Sequence, residues 1–191
     1  MNLARQQSYI RFLDITISII AICFFIPIAL IITIVLFFDT GKPFFVQRRL
    51  GRYEKPFSLL KFRTMKIGTA DVASHLVDAS SITPMGKVLR RFKFDELPQI
   101  LNVLIGDMSF VGPRPNLPSQ IELIRHRREK KVYEHLPGIT GAAQLRKVDM
   151  SSPELLSDID SEMMETMSIK LYFKILLKTM LGAGKGDAAL D

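Results

Sequence analysis

Residues 15–38 read ITISIIAICFFIPIALIITIVLFF, 24 residues without a charge, bounded by Asp14 and Asp39. A helix needs about 20 apolar residues to cross a bilayer, so the block is long enough to do so. It is too long for the apolar region of a cleaved signal peptide, and no small-x-small cleavage site precedes Asp39. The core helix of a soluble protein is the weaker reading at this length. Two features bear on how the block meets lipid. Pro27, near its middle, removes a backbone donor and kinks a helix. Both flanks are basic: Arg5 and Arg11 come before, and Lys42, Arg48, Arg49 and Arg52 after. The positive-inside rule draws both flanks to the cytoplasmic side. A helix that enters, bends at Pro27 and returns to the same face satisfies both, and charge makes this modestly better than spanning. The expectation is a re-entrant membrane helix-hairpin over residues 1–40.

Composition narrows the class but not the partner. Of 191 residues, 48% are apolar and 24% charged, and the apolar excess sits mainly in the N-terminal block. The net charge of +7 suits nucleic acid, anionic lipid or phosphorylated substrates and does not choose among them. Cys23 is the one cysteine, so an intramolecular disulfide is excluded, and three scattered histidines (His75, His126, His135) make a Cys/His zinc site untenable.

Beyond the block, the runs 44–50 and 57–63 flank Gly51 and the polar RYEK, which predicts a small β-hairpin. Residues 66–84 read as a loop with a short helix. Met85, Val88, Leu89 and Phe92 form one stripe at helical spacing, and Ile100, Leu101, Leu104 and Ile105 a second. Residues 107–118 and 137–145 read as rigid, proline- and glycine-rich loops. A basic helix is expected over 119–136. Ser151 and Glu154 fit a capping box, with Pro153 in the first turn of a helix over 152–167. Residues 168–181 place Lys170, Lys174 and Lys178 on one stripe, which suits an interfacial amphipathic helix or one packed on the core. Residues 182–191 read as a disordered tail. The fold class expected is α+β and mostly helical: the membrane hairpin, then a compact cytoplasmic domain over 41–181.

The chemistry gathers in 95–115, DELPQILNVLIGDMSFVGPRP. Aspartate is a favoured N-cap and proline is tolerated in a first turn, so a helix is expected to begin at Asp95. On the bland reading Asp95 merely caps that helix and Glu96 is solvated. The context favours chemistry. Lys87, Arg90, Arg91 and Lys93 lie just upstream, and with the positive helix end they keep Asp95 ionised. An ionised carboxylate can attack phosphorus or carbon. Two carboxylates with phosphate oxygens also suit Mg²⁺. In GPRP (112–115) prolines flank Arg114, presetting it to grip a diphosphate or a base.

KFRTM (61–65), the 95–115 stretch and PGITGAAQL (137–145) together resemble the bacterial sugar transferase family, the small monotopic phosphoglycosyl transferases, over nearly the whole chain. The resemblance implies transfer of sugar-1-phosphate from a UDP-sugar to polyprenol (undecaprenyl) phosphate, with release of UMP, at the bacterial cytoplasmic membrane. It implies Mg²⁺ and a covalent phospho-sugar on Asp95, with Glu96 holding metal or managing the lipid phosphate's proton. Lys61, Arg63 and Arg90 match basic positions near phosphate; Pro113, Arg114 and Pro115 match the motif associated with the uridine nucleotide. Two departures are visible: Ile26 precedes Pro27 where the family commonly has serine, and Arg146-Lys147 stand where it often has Gly-Arg. The competing classes are a membrane-tethered module for nucleic acid or anionic lipid, built on RHRREKK (125–131), and an inactive membrane adaptor. Base-stacking aromatics are sparse there, with only Tyr133 nearby, so no nucleic-acid partner is expected.

Overall fold

The computed structural model describes residues 3–69 and 79–182. Residues 183–191 of the expected tail and residues 70–78 of the expected 66–84 loop lie outside the described residues. Helix α1 (Leu3–Thr40) is followed by strands β1 (Phe44–Leu50) and β2 (Pro56–Phe62), helices α2 (Pro84–Arg91) and α3 (Gln99–Ile105), and strand β3 (Ser109–Val111). Then come α4 (Ile121–Glu129), β4 (Gly138–Thr140), the single turn α5 (Ala142–Leu145), α6 (Pro153–Glu165) and α7 (Ile169–Met180). The mixed, mostly helical class holds.

The arms expected on either side of Pro27 form one continuous helix, with Pro27 inside it. Its packing is one-sided. Ile10, Ile17, Ala21, Ile22 and Phe25 lie against the main core, and Ile28, Ala29, Ile32 and Leu36 against a second cluster with Phe62 and Leu89. These positions recur every three or four residues, as one face of a helix must. The contacted stretch, Ile10 to Leu36, is about 39 Å long at 1.5 Å per residue. The opposite face leaves Ile19, Ile20, Phe24, Leu30, Ile31, Ile34 and Phe38 exposed. Exposed apolar surface of that extent marks contact with lipid or with another chain.

The β-hairpin forms in the expected register region, with Phe44 opposite Phe62 and Leu50 opposite Pro56. The two expected loops are partly strand: Ser109–Val111 pairs in parallel with Gly138–Thr140. Three-residue strands leave almost no periodic signal, which is why proline and glycine dominate the reading of the sequence there. Between these strands the backbones meet so closely that a Cβ on Gly138 would lie 2.1 Å from the Gly112 nitrogen. Gly86 meets Thr64 in the same way, seating α2 on the segment after β2.

Helix α6 starts where expected, but the capping box does not form. Ser152 is the N-cap, with no side-chain cap bond, and the Ser151 hydroxyl donates to Asp149 Oδ1 at 2.6 Å. An acceptor two residues back captures the hydroxyl before the helix can use it. Helix α7 packs on the core, as one of its two readings expects: Tyr172 and Ile175 are buried, while Phe173, Leu177, Met180 and the C-cap Leu181 are exposed.

Gly138→Ala should destabilise the protein by about 1–3 kcal/mol or more, since only backbone can yield. Urea denaturation in detergent, with Gly51→Ala (φ −109°, nearest atom on the Phe57 side chain at 3.1 Å) as the comparison for glycine loss without a backbone clash, reads this out.

Candidate active site

Asp95 and Glu96 lie in a 3₁₀ turn, Phe94–Glu96, between α2 and α3. Lys93 enters the turn in the left-handed conformation, with φ 60°. Glu96 N–H donates to the Lys93 carbonyl at 3.3 Å and Leu97 N–H to the Phe94 carbonyl at 3.2 Å. Asp95 is therefore inside the turn and is not an N-cap. The α-helix begins only at Gln99, after Pro98, without a side-chain cap. Both carboxylates are buried, at 7% and 9% exposure, so the solvated helix start is excluded.

Glu96 Oε1 accepts from Arg114 Nη2 at 2.6 Å and from Lys61 Nζ at 3.1 Å. Burial alone would raise the Glu96 pKa. The Arg114 and Lys61 cations, the Arg114 hydrogen bond and Lys93 outweigh it and hold the carboxyl well below its usual range. Burial pushes the Lys61 ammonium down, and the charge of Glu96 restores it only in part. Lys61, Lys93 and Arg114 thus bear on Glu96, and Arg49 on Lys61, so the balance of these interacting charges is toward the positive. That balance suits an anionic ligand.

The backbone around Arg114 is fixed by more than its prolines. The Pro113 carbonyl accepts from Gly138 N–H at 2.8 Å, that of Arg114 from Arg127 Nη1 at 2.8 Å, and that of Pro115 from Arg49 Nη1 at 3.1 Å. Arg127 is itself buried (1% exposed), paired with Asp160 Oδ2 at 2.6 Å and donating to Asn116 Oδ1 at 3.0 Å. The run RHRREKK reads as a solvated or lipid-facing stretch, yet its Arg127 is an internal strut. The signal was present in the spacing. Arg127 follows Leu123 by four and Ile124 by three, and Asp160 follows Leu156 by four, so both lie on buried stripes. Asn102, one polar residue in an apolar stripe, was likewise missed. Its Oδ1 accepts from Leu60 N–H at 3.0 Å and its amide donates to the Ser58 carbonyl at 2.8 Å, clamping α3 to the strand that carries Lys61.

The structure brings Lys61, Asp95, Glu96 and Arg114 together and anchors Pro113 and Pro115. Arg90 is buried on α2, its Nε donating to Thr64 Oγ1 at 2.9 Å. Arg63 turns to the open end of the hairpin, donating to the Lys42 and Phe44 carbonyls at 2.9 and 3.2 Å.

The bacterial sugar transferase family matches residues 5–185, a span that includes every residue of this cluster. The chain belongs to the bacterial sugar transferase family. Its relatives include an uncharacterized sugar transferase, EpsL, of Bacillus subtilis, 38% identical over 89% of this chain and 84% of that one. A UDP-glucose:undecaprenyl-phosphate glucose-1-phosphate transferase of Caulobacter vibrioides is 34% identical over 89% of this chain and 67% of its own length. A UDP-N-acetylgalactosamine-undecaprenyl-phosphate N-acetylgalactosaminephosphotransferase of Aeromonas hydrophila is 31% identical, and there the chain spans only 42% of the relative. As a member of this family the protein is a transferase, and the cluster around Glu96 is its candidate active site.

Glu96→Gln should lower stability at pH 7 by about 1.5–3 kcal/mol, toward the smaller figure because Arg114 is partly exposed. Because the folded-state pKa of Glu96 is depressed, its contribution is full above the ordinary value of 4.5 and is lost as pH falls below it. The gap between wild type and variant should then narrow by about 1.4 kcal/mol per pH unit below that value. Urea denaturation at pH 7 and at lower pH checks both parts.

Proposed function

We propose that this transferase moves sugar-1-phosphate from a UDP-sugar to undecaprenyl phosphate, releasing UMP. The observation that carries the reading is the buried Asp95-Glu96 pair, with Glu96 held between Lys61 and the preset Arg114. The substrate class is supported by relatives named for undecaprenyl phosphate with UDP-glucose or UDP-N-acetylgalactosamine. Those names differ in the sugar, so the sugar stays open.

In the first half-reaction an Asp95 carboxylate oxygen attacks the β-phosphorus, which bears the sugar. The bond from that phosphorus to the bridging oxygen breaks, and UMP departs with its electron pair. In the second, an oxygen of undecaprenyl phosphate attacks the same phosphorus and Asp95 leaves, giving undecaprenyl-diphosphate sugar. Phosphoryl transfer depends mainly on positioning and charge neutralisation. Lys61 and Arg114 supply positive charge, and the tethered 113–115 backbone aims Arg114. Glu96 stays ionised far below neutral pH, which suits a fixed negative group better than a proton store.

Mg²⁺ takes one or two carboxylates and completes its shell with phosphate oxygens and water. The donors here are two adjacent carboxylates, and no cluster of three or more His, Cys, Asp or Glu occurs among the described residues. That set fits a magnesium shared with the diphosphate, which would neutralise charge on the phosphate oxygens, and it does not fit an all-protein metal cage. Asp95→Asn should abolish both UMP release and covalent labelling by sugar phosphate, tested with a panel of UDP-sugars and undecaprenyl phosphate in the presence of Mg²⁺. Substantial retained activity would remove Asp95 from its role, and no release with any UDP-sugar would return the protein to the binding-module or adaptor class.

The catalytic domain sits on the cytoplasmic face of the membrane, with α1 entering and leaving by that face. The support is the one-sided stripe from Ile10 to Leu36. Its length of about 39 Å exceeds the hydrocarbon thickness of about 30 Å, so a perpendicular crossing would draw the charged domain into lipid. Cysteines placed at positions 5 and 42 should both label from the cytoplasmic side of intact cells. Labelling of position 5 only from outside would establish a crossing.

A further inference from the structure

The membrane helix carries a polar pair, Arg11 and Asp14, on the face it turns to the domain. Arg11 Nη1 and Nη2 donate to the Val103 and Leu104 carbonyls at 2.5 and 2.8 Å. These carbonyls belong to the last turn of α3, where that of Val103 also accepts from Gly106 N–H at 3.2 Å and a cation is favoured. Asp14 is 1% exposed. Its Oδ1 accepts from Ser109 Oγ at 3.1 Å, Phe110 N–H at 3.1 Å and the Tyr172 hydroxyl at 2.7 Å. Asp14 thus meets β3 and α7 at one point.

The elements so joined are the ones that carry the site. Helix α3 follows directly on the Asp95-Glu96 turn, β3 leads directly into Arg114, and α7 exposes an apolar edge through Phe173, Leu177 and Met180. Apolar packing alone lets a helix slide by a turn at small cost, because one apolar contact replaces another. Three donors converging on one carboxylate oxygen, and a fork on two carbonyls, fix a single register.

We propose that Arg11 and Asp14 are positioning residues that set the depth of the Asp95-Glu96 turn relative to the lipid surface, and so serve the lipid half of the reaction. This rests on the two half-reactions proposed above. UDP-sugar arrives from water and meets the turn at any depth that stays wet. Undecaprenyl phosphate is held by its tail, so its phosphate reaches Asp95 only at one depth. A misplacement near 1 Å can slow a reaction about a hundredfold.

The test separates the halves. Wild type, Asp14→Leu, Asp14→Asn and Tyr172→Phe are incubated with whichever of UDP-glucose, UDP-galactose and UDP-N-acetylgalactosamine the wild type uses. The burst of UMP without acceptor reports the first half. Transfer to undecaprenyl phosphate in nanodiscs of phosphatidylethanolamine and phosphatidylglycerol reports the second. Transfer to farnesyl phosphate in detergent reports the second half without a fixed depth. The expected result for Asp14→Leu and Tyr172→Phe is a burst within about twofold of wild type, transfer in nanodiscs slowed about ten- to a hundredfold, and transfer to farnesyl phosphate near wild type. Asp14→Asn, which keeps the acceptor oxygen, should restore most of the nanodisc rate. Equal losses in burst and transfer, or the same loss with farnesyl phosphate, would reduce the pair to a structural role and overturn the proposal. If Asp14→Leu does not fold, Tyr172→Phe, which loses one hydroxyl and no bulk, decides between these results. A wild type that gives no burst without acceptor would instead defeat the covalent half-reactions, a failure distinct from that of the clamp.

Discussion

The contact on which the site depends is the one at Glu96 Oε1, where Arg114 and Lys61 converge. Three distant pieces of chain meet there: strand β2, the turn before α3 and the loop after β3. Each brings a charge that would be costly to bury alone. Lys61 would lose its proton more readily, Glu96 would gain one, and Arg114 would swing to solvent. Together they keep Glu96 ionised, and the surplus of cations leaves the cluster able to receive an anion. An ion pair that exists only when three segments are in place ties formation of the site to formation of the fold.

Outward from that contact, the supports are also polar. Carbonyls 113 to 115 are tied to β4, to Arg127 and to Arg49, and Arg127 is in turn held by Asp160. A buried ion pair of this kind is no bargain in stability against apolar packing, though removing one partner is severe. Its use here is geometric. An apolar side chain could fill the space beneath the loop, but it could not hold the Arg114 carbonyl in one orientation. Asn102 does the same for the strand that carries Lys61.

These supports also mark the limit of what the sequence discloses. Asp95, Glu96, Lys61 and Arg114 were legible because charged residues among prolines and apolar runs stand out, and because the motifs around them resemble a family. The hairpin was legible from two runs separated by a polar turn. The N-cap expected at Asp95 does not form, because Lys93 in the left-handed conformation starts a tighter turn, and nothing in a lysine announces that. The strands β3 and β4 are three residues each and were hidden by their glycines and prolines. Arg127 and Asp160 were hidden by company: a charge among charges reads as surface unless its spacing from the apolar stripe is followed residue by residue.

Helix α1 presents the hardest case, for a physical reason. A surface helix betrays its buried side by contrast, since water selects polar residues for the other face. Where the other face is apolar too, the contrast is gone. Residues 15–38 are apolar on the side that packs on the domain, and equally on the side that carries Ile19, Phe24 and Ile31. The two sides differ only in the few polar groups the domain can satisfy. Arg11 and Asp14 find partners there. In sequence Asp14 looks like the end of an apolar block. In the folded chain the helix extends well before it, and the carboxylate is the point where that helix is keyed to the domain. For a helix immersed in lipid, a charged residue near its end is therefore informative about orientation. It faces the protein, because lipid offers no partner for it.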